Sequence, residues 1–161
     1  MWGLKKPQLL ALVGALVVIV LLVVAPRTPA GKQQEVVKLD PMKARTDEAV
    51  ALVNGQDPMR GILLLREILK EDPDNVEAHW QLGLFSVQSG QYDKALGRFQ
   101  KVLELDSVNY PDVWFYLGRT YATLDSNALA IASLKKYKTL TQDTAMLNGV
   151  DRFLLELENV K

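Results

Sequence analysis

Leu82-Gly83 and Leu117-Gly118 hold equivalent places in two similar segments, 35 residues apart. Self-similarity at such a period marks a helical repeat, in which no single unit buries its own apolar face. The neighbouring residues carry the same register. Gly90, Tyr92, Ala95 and Phe99 follow the first pair, and Ala130 and Leu134 follow the second at matching distances. The chain is therefore read as an all-α stack before any site is sought.

Helix punctuation divides the rest. Asp40-Pro41 and Asp57-Pro58 each place a capping carboxylate before a proline suited to the first helical turn. Asn54-Gly55 ends the helix opened by the first, and Asp72-Pro73 ends the helix opened by the second. At the other end, Met146, Leu147, Val150, Phe153, Leu154 and Leu157 form one apolar stripe. Asp151, Arg152, Glu156 and Glu158 fall on the opposite face, the pattern of a helix that covers the end of a stack.

From Asp72 onward the chain resembles the tetratricopeptide repeat, a unit of about 34 residues in two antiparallel helices. Leu82-Gly83, the turn Gly90, Tyr92 and Ala95-x3-Phe99 match the pattern, with His79 at the usual tryptophan position and Ser107 at the final proline. The next unit supplies Trp114-x2-Leu117-Gly118-x2-Tyr121, with Ala130 and Leu134 after it; Asp125 replaces the turn glycine and Asn127 the aromatic. The longer spacing predicts one extra residue near Asn109-Tyr110-Pro111. Gly61, Leu65 and Pro73 place a degenerate unit before these two. The resemblance thus implies a right-handed helix-hairpin solenoid: a degenerate repeat over 41–73, good repeats over 74–109 and 110–142, and a capping helix over 143–161.

The first residues obey other rules. Residues 8–25 carry no charge, and 13 of them are Leu, Ile or Val. As helix, residues 7–25 reach roughly 28 Å, close to a bilayer's hydrocarbon thickness. A cleaved signal peptide has a shorter apolar core, of about 7–15 residues. Pro26 beside a cut after Ala25 also opposes that alternative. The expectation is an uncleaved anchor over 7–25 after a short tail (1–6), with a flexible linker over 26–40. Lys5 and Lys6 abut the span and favour a cytoplasmic N-terminus, whereas Arg27, Lys32, Lys38, Lys43 and Arg45 argue the other way. The reading adopted is N-inside, a single-pass protein of the bacterial inner membrane with its repeats in the periplasm.

Charge and composition narrow the function. Residues 1–38 hold five basic residues against Glu35, so the remaining chain holds 14 basic and 18 acidic residues. A mildly acidic domain is unsuited to nucleic acid. There is no cysteine, and His79 is the only histidine. Thiolate chemistry is excluded, the commonest metal spacings and triads are lacking, and no nucleotide loop appears, so neither a cofactor nor catalysis is expected. His79 has no positioned partner in sequence and is read as a structural or exposed histidine. Lys135, Lys136 and Lys138 are read as a solvated helix face.

Proteins that this region resembles hold a partner's peptide or helix in a groove lined by first helices. Transferred to this chain, those positions are Val50 and Val53, then Trp80, Leu84 and Val87, then Phe115, Arg119 and Ala122. Only Arg119 could clamp a carboxylate, so the groove suits an apolar or amphipathic segment, with Trp80 and Phe115 as anchors. Packing of the same residues against the domain's own helices is the competing reading. The implied role is a membrane-anchored protein-protein interaction scaffold in assembly of an envelope complex. The alternatives are a self-associating, homo-oligomeric membrane protein and a non-catalytic accessory subunit of a membrane enzyme.

Overall fold

The computed structural model describes residues 40–159. The anchor expected over 7–25 and nearly all of the linker lie outside the described residues. Among those described, no helix is long and apolar enough to cross a membrane.

Seven helices follow in order: α1 (Pro41–Val53), α2 (Pro58–Glu71), α3 (Val76–Gln88), α4 (Tyr92–Asp106), α5 (Val113–Thr123), α6 (Asn127–Lys138) and α7 (Thr144–Asn159). Four of the starts carry a side-chain cap, and two of these, Asp40 and Asp57, were predicted; α4, α5 and α6 have none. The Asp40 carboxylate accepts from Met42 N–H at 3.0 Å, and Asp57 from Arg60 N–H at 3.3 Å. Asn75 and Asp143 do the same for α3 and α7, accepting from Ala78 N–H at 3.0 Å and Ala145 N–H at 2.8 Å. Such a cap is worth about 1 kcal/mol.

The helices pair as α1–α2, α3–α4 and α5–α6, and each pair also meets the first helix of the next. Three buried clusters record this. Ala49, Ile62, Leu65 and Ile68 of the first hairpin are completed by Ala78 and Leu82 of α3. Ala95, Phe99 and Val102 are completed by Val113 and Leu117 of α5. Ala130, Leu134 and Tyr137 are completed by Val150, Leu154 and Leu157 of α7. Full burial of a Leu, Ile or Phe side chain stabilises by about 1.5–3 kcal/mol, so each interface depends on its neighbour. Helix α7 supplies the last interface as a cap should, while Asp151, Arg152, Glu156 and Glu158 stay exposed.

The extra residue predicted near Tyr110 lies in the α4–α5 connection, residues 107–112, which is longer than the α2–α3 connection, residues 72–75. Asp106 turns the chain by accepting from the backbone N–H of Val108 and Asn109 and from the Asn109 amide. This turn carries Tyr110 inward, onto α3.

Candidate functional site: the first-helix face

A continuous series of aromatic rings joins the two good repeats. Trp80 lies 5.7, 5.9 and 5.4 Å from the ring centres of Phe99, Tyr110 and Tyr116. Phe115 continues the series, 5.5 Å from both Tyr116 and Tyr137. Tilted and edge contacts of this kind add about 0.5–1.5 kcal/mol each beyond their burial. Trp80 is therefore partly buried between hairpins. Leu84 and Val87 pack partly buried against the same cluster, Val53 against the first cluster and Ala122 against the third.

The remaining three expected groove residues line two separate clefts on the first helices. Val50 borders a cleft of about 620 Å³ between α1 and α3, together with Asp47, Asn75, Glu77 and Tyr110. Its charged lining is mainly acidic, with Asp40, Asp47, Asp72 and Glu77 against Lys43. Lys43 is already matched there by Asp47 at 2.8 Å. Glu77 accepts from the Tyr110 hydroxyl at 2.7 Å and from the Gln81 amide at 2.8 Å. Burial, reinforced by the Glu77 carboxylate, raises the Tyr110 hydroxyl well above an ordinary phenol, so it stays a donor.

Phe115 and Arg119 line the other cleft, of about 390 Å³, between α5 and α7. Met146, Gly149, Val150 and Phe153 form its α7 wall. The Arg119 guanidinium carbon stands 5.7 Å from the Phe115 ring centre. A cation over an aromatic face at an exposed site gains about 0.5–1 kcal/mol, enough to bias the rotamer without neutralising the charge. No ion pair to Arg119 occurs among the described residues. The arrangement is an apolar trough with one cation at its edge and a gap at Gly149, where an added β-carbon would meet nothing within 4 Å.

Tyr110 and Glu77, and the α7 residues Met146, Gly149 and Phe153, belong to this face but were not among the residues expected to line it. Tyr110 and Glu77 are 33 positions apart, so no local spacing signals their contact. The α7 stripe was visible, but it divides: Val150, Leu154 and Leu157 are buried, while Met146 and Phe153 stay partly exposed.

His79 occupies the back of α3. Its Nε2 lies 2.8 Å from the Pro73 carbonyl and its Nδ1 3.2 Å from an Arg98 nitrogen. Arginine can only donate, so Nδ1 accepts and Nε2 carries the proton. Burial lowers the imidazole pKa, with Arg98 and Lys101 adding to the effect. The ring is a neutral structural bridge between the α2–α3 turn and α4. Of the three lysines on α6, Lys135 pairs with Glu158 at 3.0 Å and Lys138 with Asp151. Among the described residues, no three His, Cys, Asp or Glu side chains gather as a metal site would require.

Family models described as tetratricopeptide repeat match residues 45–114 and 86–144. Solved structures are similar as well. A MamA mutant is 30% identical with a TM-score of 0.61, over 71% of this chain and 66% of that one. MamA AMB-1 is also 30% identical with a TM-score of 0.61, over 71% of this chain and 62% of that one. MamA MSR-1 is 29% identical with a TM-score of 0.61, over 72% of this chain and 64% of that one. The chain thus spans slightly less than two thirds of the length of these relatives. No curated protein matches the sequence. The matched segments include most of the degenerate first hairpin and run to the first residue of the capping helix. With three hairpins, shared inter-hairpin cores and both family models in agreement, the chain belongs to the tetratricopeptide repeat family.

Proposed function

We propose that this protein is a membrane-tethered interaction scaffold whose α5–α7 cleft holds an amphipathic segment of a partner protein. The observation that carries the reading is the partly exposed apolar trough of Phe115, Met146 and Phe153 beside Arg119. Apolar side chains of the partner fill the trough around Gly149, and a carboxylate on the same segment meets Arg119. The acidic α1–α3 cleft, with Asp47 and Glu77, favours a polar or basic continuation of that segment. Trp80, Leu84, Val87, Val53 and Ala122 hold the first helices in place beneath it. The role is binding and not catalysis.

The uncharged run over residues 8–25 supports the tether, and Lys5 and Lys6 support an N-terminus inside the cell, with the repeats outside the inner membrane. Assembly of an envelope complex is the biological role this layout favours. A photo-crosslinking residue at Gly149 in the full chain, expressed in cells, tests the groove. A discrete adduct with a foreign protein, absent when the probe sits at exposed Leu129 on α6, is the expected outcome. Adducts only between copies of this chain would favour self-association, and none from Gly149 would remove the groove as the binding site. Protease added to cells with an intact inner membrane tests the orientation: digestion of the repeats is expected, and protection contradicts it.

A further inference from the structure

The opposite face carries a third cleft, of about 530 Å³, between the second helices α2 and α4 and floored by α3. Arg66 enters it from α2, and Lys94 and Arg98 from α4. No carboxylate lines it, and none of these three cations forms an ion pair among the described residues. This differs from the α6 lysines, two of which have acidic partners on α7. Arg98 is half-buried and held against His79, so its charge is recessed, whereas Arg66 and Lys94 are exposed at the rim. Burial and the neighbouring Arg66 both disfavour the charged form of Arg98, and an arriving anion relieves that strain on the pair. Leu82 and Phe85 form the floor, and Leu63, 55% exposed, lies one turn before Arg66 on α2.

We propose that this cleft is a second docking site, for an acidic segment of a protein partner that carries glutamate or aspartate beside an apolar residue. Charge complementarity selects the acids: three cations without a counter-charge sit in a domain that is otherwise mildly acidic. The recess selects a side chain on a stem, because a flat lipid surface meets the rim charges but not Arg98. The Leu82–Phe85 floor selects an apolar neighbour, which a free phosphate lacks. The site is separate from the α5–α7 cleft and stands or falls independently of it.

The test uses the full chain and a fluorescein-labelled peptide with paired glutamates on either side of a leucine, read by fluorescence anisotropy. Arg66 and Lys94 are exposed, so the double variant Arg66→Gln/Lys94→Gln is expected to keep its melting temperature and to lose about tenfold in affinity, as two exposed charge contacts imply. Added salt weakens the wild-type complex, and Lys136→Gln and Phe115→Ala leave it unchanged. The same peptide with lysine for glutamate does not bind. Unchanged affinity in the double variant, or equal binding of the lysine peptide, overturns the proposal. Displacement of the peptide by inorganic phosphate or by phosphatidylglycerol vesicles at matched anion concentration also overturns it, by assigning the cleft to phosphate chemistry.

Discussion

A β-carbon placed on Gly83 would lie 2.5 Å from Cε1 of Phe99, well inside van der Waals contact. Sixteen positions separate the two residues, and the next repeat keeps the relationship: a β-carbon on Gly118 would lie 2.6 Å from Cγ of Leu134. Each of these two hairpins is closed by a large side chain of the second helix seated on the bare backbone of the first. Gly83→Ala should therefore destabilise the domain. Overpacking costs about 1–3 kcal/mol, against a gain in helix propensity of at most about 1 kcal/mol. Gly97→Ala has no such neighbour and should stabilise by up to about 1 kcal/mol. Urea unfolding of the two variants should shift in opposite directions.

Asp125 adopts φ 54°, the left-handed conformation that Gly90 adopts at φ 71° in the preceding repeat. Both close a helix in the same way, with Gln91 N–H reaching the Ser86 carbonyl and Ser126 N–H the Tyr121 carbonyl. A side chain in this region costs about 1–2 kcal/mol, less for Asp than for most residues. Asp125→Gly should raise stability by about 1 kcal/mol, and Gly90→Ala should lower it by a similar amount. Thermal unfolding of both variants checks the pair.

His79 sets a pH dependence. Its pKa lies below the ordinary 6.5, because burial disfavours the cation and Arg98 and Lys101 repel it; the hydrogen bond to the Pro73 carbonyl and, less so, Asp74 oppose this in part. The unfolded chain therefore binds the proton more readily than the folded one, and stability rises with pH between the folded and unfolded values. The contribution is complete above about pH 6.5 and is lost as the pH falls through the lowered folded value. Melting temperatures taken between pH 7.5 and 5 should fall for the wild type relative to His79→Gln. Parallel curves would show that the ring carries no such linkage.

The good repeats were legible because their small and large residues sit at the family positions. The first hairpin was harder to read for a specific reason. Offset by 34 positions, Ala49 stands where Gly83 does, and Gly61 stands where Ala95 does. The small residue has changed helix: a β-carbon on Gly61 would lie 2.6 Å from the Val53 nitrogen and 2.7 Å from the Ala49 carbonyl oxygen. The close approach survives although the Leu-Gly signature does not. The caps at Asp40 and Asp57 were equally visible, since an Asp-Pro pair acts locally, whereas those at Asn75 and Asp143 lack the proline and were not. The Tyr110–Glu77 contact and the Arg98–His79 bridge were not, because tertiary packing brings those residues together. The expected groove residues divide for a related reason. A first helix of this width buries one edge and exposes the other, and sequence spacing alone does not separate Trp80, enclosed by three rings of the aromatic series, from Phe115, which carries that series to the cleft.

The central claim is that the α5–α7 cleft is a peptide-binding groove. Peptides selected by phage display against the full chain should carry apolar anchors, and their affinities can be measured by calorimetry. Phe115→Ala removes one wall of the trough and Gly149→Trp fills its open gap. Loss of a central aromatic anchor typically costs about 2 kcal/mol or more, at least about tenfold in affinity. The account predicts such a loss for both variants, at unchanged melting temperature for Gly149→Trp and at a temperature where Phe115→Ala, destabilised by its lost contacts to Tyr116 and Tyr137, is still folded, while Arg66→Gln/Lys94→Gln binds these peptides as the wild type does. Unaltered affinity in folded Phe115→Ala and Gly149→Trp would contradict it.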